Sequence, residues 1–152
     1  MLGGSAESKR ASAADAAILG VAAAGHRQWR EAWRRDPRNA GGCAPRYKFG
    51  ENIDVPFERL EHAENRRSNL RAAEHAVGLV LRNDLDEDQR LHLLHEGWLA
   101  NNEYARAGPL DCPYGELSPA EQAKDAFWLS SARDYFFCAG CGRRPPRPAL
   151  VA

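Results

Sequence analysis

The chain has 152 residues, 43% of them apolar and 28% charged, with 21 basic and 21 acidic side chains and a formal net charge of zero. That balance removes the usual electrostatic basis for non-specific nucleic-acid or anionic-membrane binding. The length suits one domain, or two small units sharing a core.

Residues 1–12 are Gly, Ser, Ala and charge, and the composition predicts a flexible N-terminus. A helical pattern begins at Ala13, with Ile18, Val21, Gly25, Trp29 and Trp33 at three- and four-residue steps. The same region holds the longest apolar stretch, AADAAILGVAAAG at 13–25, which is too short to span a bilayer and carries Asp15. No membrane insertion is expected, and Asp15 argues against an export signal. Asp36-Pro37 should stop the helix, since a proline disfavours helix in the residue before it. Residues 37–55 are rich in Pro, Gly and Asn, with Tyr47, Phe49 and Ile53 spaced as a short extended piece.

A second helix is predicted over roughly 61–82, with Leu70, Ala73, Val77, Val80 and Leu81 on one face. Asp86 followed by Gln89 forms a capping box for a third helix, whose buried stripe holds Leu91, Leu94 and Trp98, with Leu99 beside it. That helix should end near Gly108-Pro109. In SPAE at 118–121, Ser118 suits the N-cap, Pro119 the first helical position, and Glu121 a bond back to the cap amide. The fourth helix should run to about Phe137, leaving the Cys-, Arg- and Pro-rich tail 138–152 flexible.

The segment DVPFERLEHAE at 54–64 is echoed by DCPYGELSPAE at 111–121. Aligned, Pro56 meets Pro113, Phe57 meets Tyr114, Leu60 meets Leu117, Ala63 meets Ala120 and Glu64 meets Glu121. Upstream, His26-x-x-Trp29 answers His95-x-x-Trp98. Two helix–loop–phrase–helix units in one short chain point to an internal duplication, 13–82 and 84–137. The fold class expected is mainly α, two helix–loop–helix repeats packed as one compact unit with at most short β elements.

A helix bearing a tryptophan, a variable loop, then proline–aromatic–x–x–Leu–x–x–x–Glu leading into a second helix resembles the ryanodine-receptor repeat. VPFERLEHAENRRSNLRAAEHAVGLVL at 55–81 is similar to the family's second helix, and LLHEGW at 93–98 with CPYGELSPAEQAKDAF at 112–127 resembles stand-alone members. The likeness extends over about 15–137 and implies a tandem pair of cytosolic recognition modules; some family members are associated with nucleotide binding. Departures are visible. The family's Gly-Trp-aromatic-Gly element survives only as YKFGENIDV, without its tryptophan, and the second loop has shrunk to NNEYARAGPLD. The kinase-target role of one channel pair does not carry over, because loops 36–55 and 100–112 contain no serine or threonine.

The candidate ligand-binding residues are His26, Trp29, Tyr47, Pro56, Phe57, His95, Trp98, Pro113 and Tyr114, which would frame a concave polar pocket near the loops. The competing reading makes Trp29 and Trp98 core anchors, with each histidine bonding a loop carbonyl. Glu64 and Glu121 sit where an N3 cap belongs rather than where an acid–base pair would. Four cysteines, Cys43, Cys112, Cys138 and Cys141, make no disulfide framework and suggest a reduced, cytoplasmic setting. Cys138-x-x-Cys141 is the one metal-like phrase, and a closed zinc site would need all four thiols to converge. RRPPRP at 143–148 has the composition of a polyproline ligand or of a solubilising terminus. Phosphate-loop, zinc-protease and nucleophile-elbow motifs do not occur. The expectation is a non-catalytic recognition module without a cofactor, binding a small ligand, nucleotides included, or a protein partner. The alternative is a small zinc-stabilised adaptor built on the C-terminal cysteines.

Overall fold

The computed structural model describes residues 6–42 and 46–137. Four α-helices carry it, α1 (Ala6–Arg35), α2 (Ala63–Val80), α3 (Glu87–Asn101) and α4 (Pro119–Phe136), so the chain is mainly α. The one sheet among the described residues is a hairpin, β1 (Tyr47–Lys48) and β2 (Glu51–Asn52). Cys43, Cys138, Cys141 and the tail from 138 onward lie outside the described residues.

The start of α1 corrects the expectation of a loose stretch up to residue 12. The alanine-rich run favours helix strongly enough to extend the element back to Ala6. Its end is as expected: Arg35 is the last helical residue before Asp36-Pro37, and a 3-10 turn follows over Pro37–Gly42. The extended piece closes into the hairpin through Phe49 and Gly50, at φ 51° and 74°. Both turn positions need positive φ to match the strand twist. Glycine meets that freely. Phe49 does not, and its ring stacks on His62 with centroids 5.0 Å apart.

α1 packs against both α2 and α4, and α2 also packs against α3 and α4. Val21 and Ala22 of α1, Ala73, Ala76, Val77 and Val80 of α2, Leu94 of α3, and Leu129, Ala132 and Phe136 of α4 form one buried cluster. Gly25 permits a close approach beside it. A Cβ there would fall 2.5 Å from the Trp128 ring, so α1 and α4 could not meet as they do around a larger residue.

Each proline phrase becomes the same object. Pro56 and Pro113 adopt nearly equal backbone angles (φ −54°, ψ 147° and φ −56°, ψ 147°), each opening a 3-10 turn, Phe57–Arg59 and Tyr114–Glu116. Phe57 and Leu60 are buried beneath the first turn, Tyr114 and Leu117 beneath the second. Beyond the turns the sequence alignment slips by one residue. His62 caps α2, its Nδ1 accepting from the Glu64 amide at 3.2 Å, whereas Ser118 caps α4 through the Glu121 amide at 3.3 Å. Helix positions therefore correspond at a separation of 56 rather than 57, and Glu64 answers Ala120 instead of Glu121. The fourth helical residue carries the equivalence: Arg66 donates to the carbonyls of Phe57 and Leu60, and Gln122 to those of Tyr114 and Leu117.

Other expectations are corrected too. Glu64 pairs with Arg67 and Glu121 with Lys124, so neither carboxylate is engaged as the expected N3 cap. The capping box of α3 forms as predicted, with Gln89 N–H donating to Asp86 at 2.8 Å and Asp86 N–H to Gln89 at 2.9 Å. α3 stops at Asn101 rather than near Gly108, because Asn101 and Asn102 turn their amides back onto the carbonyls of Gly97 and Trp98.

Candidate functional site

The two histidines do the same work in each half. Both are buried. His26 Nε2 lies 2.8 Å from the carbonyl of Val55, and His95 Nε2 lies 2.9 Å from that of Cys112; these are the residues that precede the two prolines. A carbonyl can only accept, so each imidazole donates through Nε2–H and keeps Nδ1 for its second neighbour. Each ring also stacks on the tryptophan one turn on, with centroids 5.6 Å apart for His26 and Trp29 and 6.1 Å for His95 and Trp98.

Those tryptophans are half-buried rather than closed into the core, and both stand on the wall of one cleft of about 420 Å³. The cleft lies between the halves. From α2 it is lined by Asn65, Ser68, Asn69 and Ala72, and from α4 by Glu121, Lys124, Asp125 and Trp128. These are the same four positions at the separation of 56. Ile53 and Leu110, each two residues before a histidine-bound carbonyl, line it too. Arg46 and Lys48 approach from the hairpin side, and Tyr104 from the loop after α3.

The polar wall is uneven. On the α2 side it is neutral, two amides and a hydroxyl. Asn65 is held by both its hydrogens, donating to the Lys48 carbonyl at 3.0 Å and to Glu51 at 2.9 Å. Its Oδ1 is buried without a partner. On the α4 side Lys124 donates to Glu121 at 2.7 Å, and Asp125 Oδ2 stands 3.4 Å from His95 Nδ1. Burial drives the Asp125 carboxyl up to about 6, partly opposed by His95. Burial also lowers the basicity of His26, keeping that ring neutral. Arg46 lies over the Trp29 ring at 5.3 Å, and Lys48 donates to the Tyr104 hydroxyl at 3.1 Å across the mouth.

Of the residues singled out from sequence, Trp29, Trp98 and His95 are brought together on this wall. His26 lies behind Trp29 as its support. Pro56, Phe57, Pro113 and Tyr114 are not part of the wall; Phe57 and Tyr114 are buried in the turns that fix the histidines. Tyr47 is exposed and lines a neighbouring groove with Trp33, Arg38 and Phe127. The residues missed are the polar faces of α2 and α4. Their signal was present as Asn65, Ser68, Asn69 and Ala72 at helical spacing, and it pointed away from the apolar stripe.

Of the four thiols in the zinc reading, Cys112 lies among the described residues. Its Sγ lies 4.0 Å from the Pro109 carbonyl. Among the described residues no group of three or more His, Cys, Asp or Glu side chains could hold a metal ion. No helix among them is long and apolar enough to cross a membrane. Comparison with protein-family models, with curated proteins and with solved structures finds no match.

Proposed function

We propose that the chain is a non-catalytic recognition module, a tandem pair of units of the ryanodine-receptor-repeat kind, whose ligand is a small planar molecule of the nucleotide class bound in the cleft between the halves. One observation carries this reading: equivalent tryptophans, Trp29 and Trp98, reach the wall of a single cleft from opposite halves. A tryptophan left half-buried beside an open volume offers aromatic surface to a ligand ring, at Trp29 together with the Arg46 guanidinium that lies over it, and contact of this kind is tolerant of the ring's identity. The volume of about 420 Å³ is in the range of small-molecule sites.

Polar groups add to the support. Arg46 and Lys48 supply positive charge around the cleft, while Lys124 is matched by Glu121. Duplication is supported by the matched histidine–carbonyl bonds and by the four matched cleft positions on α2 and α4.

The test is a thermal-shift and tryptophan-fluorescence screen of mononucleotides, cyclic nucleotides and nucleosides. A true ligand at about a hundredfold over its Kd should stabilise the fold by about 2.7 kcal/mol. The variants Trp29→Ala and Trp98→Ala should each abolish the shift. No stabilisation by any member of the panel, with the fold intact, would remove the reading.

A further inference from the structure

The cleft wall brings together two buried groups, His95 and Asp125, whose facing atoms are both acceptors unless one of them holds a proton. His95 donates Nε2–H to the Cys112 carbonyl at 2.9 Å, which leaves Nδ1 as a bare lone pair if the ring is neutral. Facing it at 3.4 Å is Asp125 Oδ2, which is also only an acceptor when ionised. Two acceptors this close in a buried setting repel. A single proton between them resolves this, as imidazolium with carboxylate or as imidazole with carboxylic acid, and both forms carry a net charge of zero.

The equivalent position in the other half makes the contrast. There Asn69 takes the place of Asp125 beside His26, and an amide has no proton to lose in the physiological range. The proton-holding pair therefore exists on one side of the cleft only.

Resting on the reading of the cleft as a ligand site, we infer that Asp125 sets the charge class of the ligand: the cleft takes an anion and binds it with uptake of a proton by the His95–Asp125 pair. With the proton in place the pair is neutral, Glu121 is matched by Lys124, and Arg46 and Lys48 leave the cleft positive. Without it, the wall gains a negative charge beside the bound molecule. An anion therefore prefers the protonated pair, and by reciprocity binding raises the pair's affinity for the proton.

The other charged groups around Asp125 fit this assignment. Glu121 and Lys124 flank it on α4, and Tyr114 of the proline turn carries a phenol that burial holds in its neutral form. Asp111, whose carboxylate is held ionised chiefly by the Ala107 amide, also interacts with His95 through space. Arg71 and His75 of α2 share a small hollow with Asp125, and burial keeps His75 neutral. The carboxyl's displacement upward to about 6 places the exchange in an accessible pH range.

The test needs a ligand whose own charge is constant. 3′,5′-Cyclic AMP, a phosphodiester with one fixed negative charge, serves between pH 5.5 and 7.5, with uncharged adenosine as its partner. Titration calorimetry of the whole chain in two buffers of different ionisation heat should register proton uptake with the cyclic nucleotide. Its affinity should be at least fivefold higher at pH 5.5 than at 7.5, with a smaller change for adenosine. Asp125→Asn, whose amide can donate to Nδ1 as the carboxylic acid would, should bind at pH 7.5 as the parent does at 5.5 and lose the pH dependence. Equal affinity of the parent protein at both pH values, or proton release, would overturn the inference while leaving the cleft a ligand site. Adenosine binding without the cyclic nucleotide would do the same. Failure of both probes at both pH values removes the reading of the cleft and this inference with it. If Asp125→Asn does not fold by circular dichroism, the calorimetry of the parent chain decides.

Discussion

Asp125 and Asn69 occupy the same turn of equivalent helices, yet only Asp125 titrates, and this has a consequence for the unliganded protein. Its carboxyl rises from an ordinary value of 3.8 to about 6 on folding, because burial penalises the charged form more than His95 favours it. The folded state therefore holds a proton that the unfolded chain has released between those values. Asp125 contributes stability that is fully present below about pH 4 and lost as pH rises through about 6. Asp125→Asn should melt higher than the parent protein at pH 7.5, by on the order of 1–3 kcal/mol, with the difference closing toward pH 4. Thermal melts at both pH values check it, and a variant less stable at pH 7.5 would contradict it. His26 works in the opposite direction. Its basicity is lowered by burial, so the stability it contributes is present above its ordinary value of 6.5 and lost as pH falls through the depressed one.

At the scale of the element, the helix starts are where the two halves differ and where the sequence misleads. The letters pair Glu64 with Glu121, but His62 caps α2 one residue later than the phrase implies, while Ser118 caps α4 directly after Leu117. Capping strength can be measured at two positions. Ser118→Ala should cost about 1 kcal/mol by leaving the Glu121 amide without its acceptor. Asp86→Ala should cost somewhat more, because it removes the carboxylate that holds Gln89 and breaks a reciprocal pair. Denaturant melts resolve both, and a neutral Asp86→Ala would mean that packing alone holds the start of α3. The four helices, the stop at Asp36-Pro37 and the α3 box were legible because they depend on neighbours in sequence. The cleft was only half legible. Trp29, Trp98 and His95 were marked by their repetition, but Asn65, Lys124, Asp125 and Trp128 acquire meaning only when α2 and α4 are placed side by side, which no local pattern specifies. Arg46 and Lys48 arrive through the hairpin, whose turn at Phe49-Gly50 has none of the usual Asn-Gly or Asp-Gly signal.

For the whole molecule, the question is whether the halves fold as two units or one. The proline turns and histidine bonds are local to each half, which favours independence. The core is not. α4 packs on both α1 and α2, and Leu129, Ala132 and Phe136 are buried in the same cluster as Val21, Ala73 and Val80. Polar ties cross as well, with Gln28 donating to Ser131 at 2.8 Å and accepting from Ser130 at 3.1 Å. Cutting between the halves would expose the buried faces of α1 and α2 to water. A remnant of about 70–80 residues buries a smaller share of its surface than the whole chain and is correspondingly marginal. We therefore expect fragments 1–83 and 84–152 to be largely unstructured alone, and the intact chain to unfold in one transition. Far-ultraviolet circular dichroism of the fragments, and coincident dichroism and tryptophan-fluorescence melts of the whole, test this directly. A fragment with its own cooperative melt would show that the halves are autonomous units docked at the cleft. Coincident melts would mean instead that any ligand held between Trp29 and Trp98 stabilises the entire fold, because the surfaces that form the cleft exist only when both halves are in place.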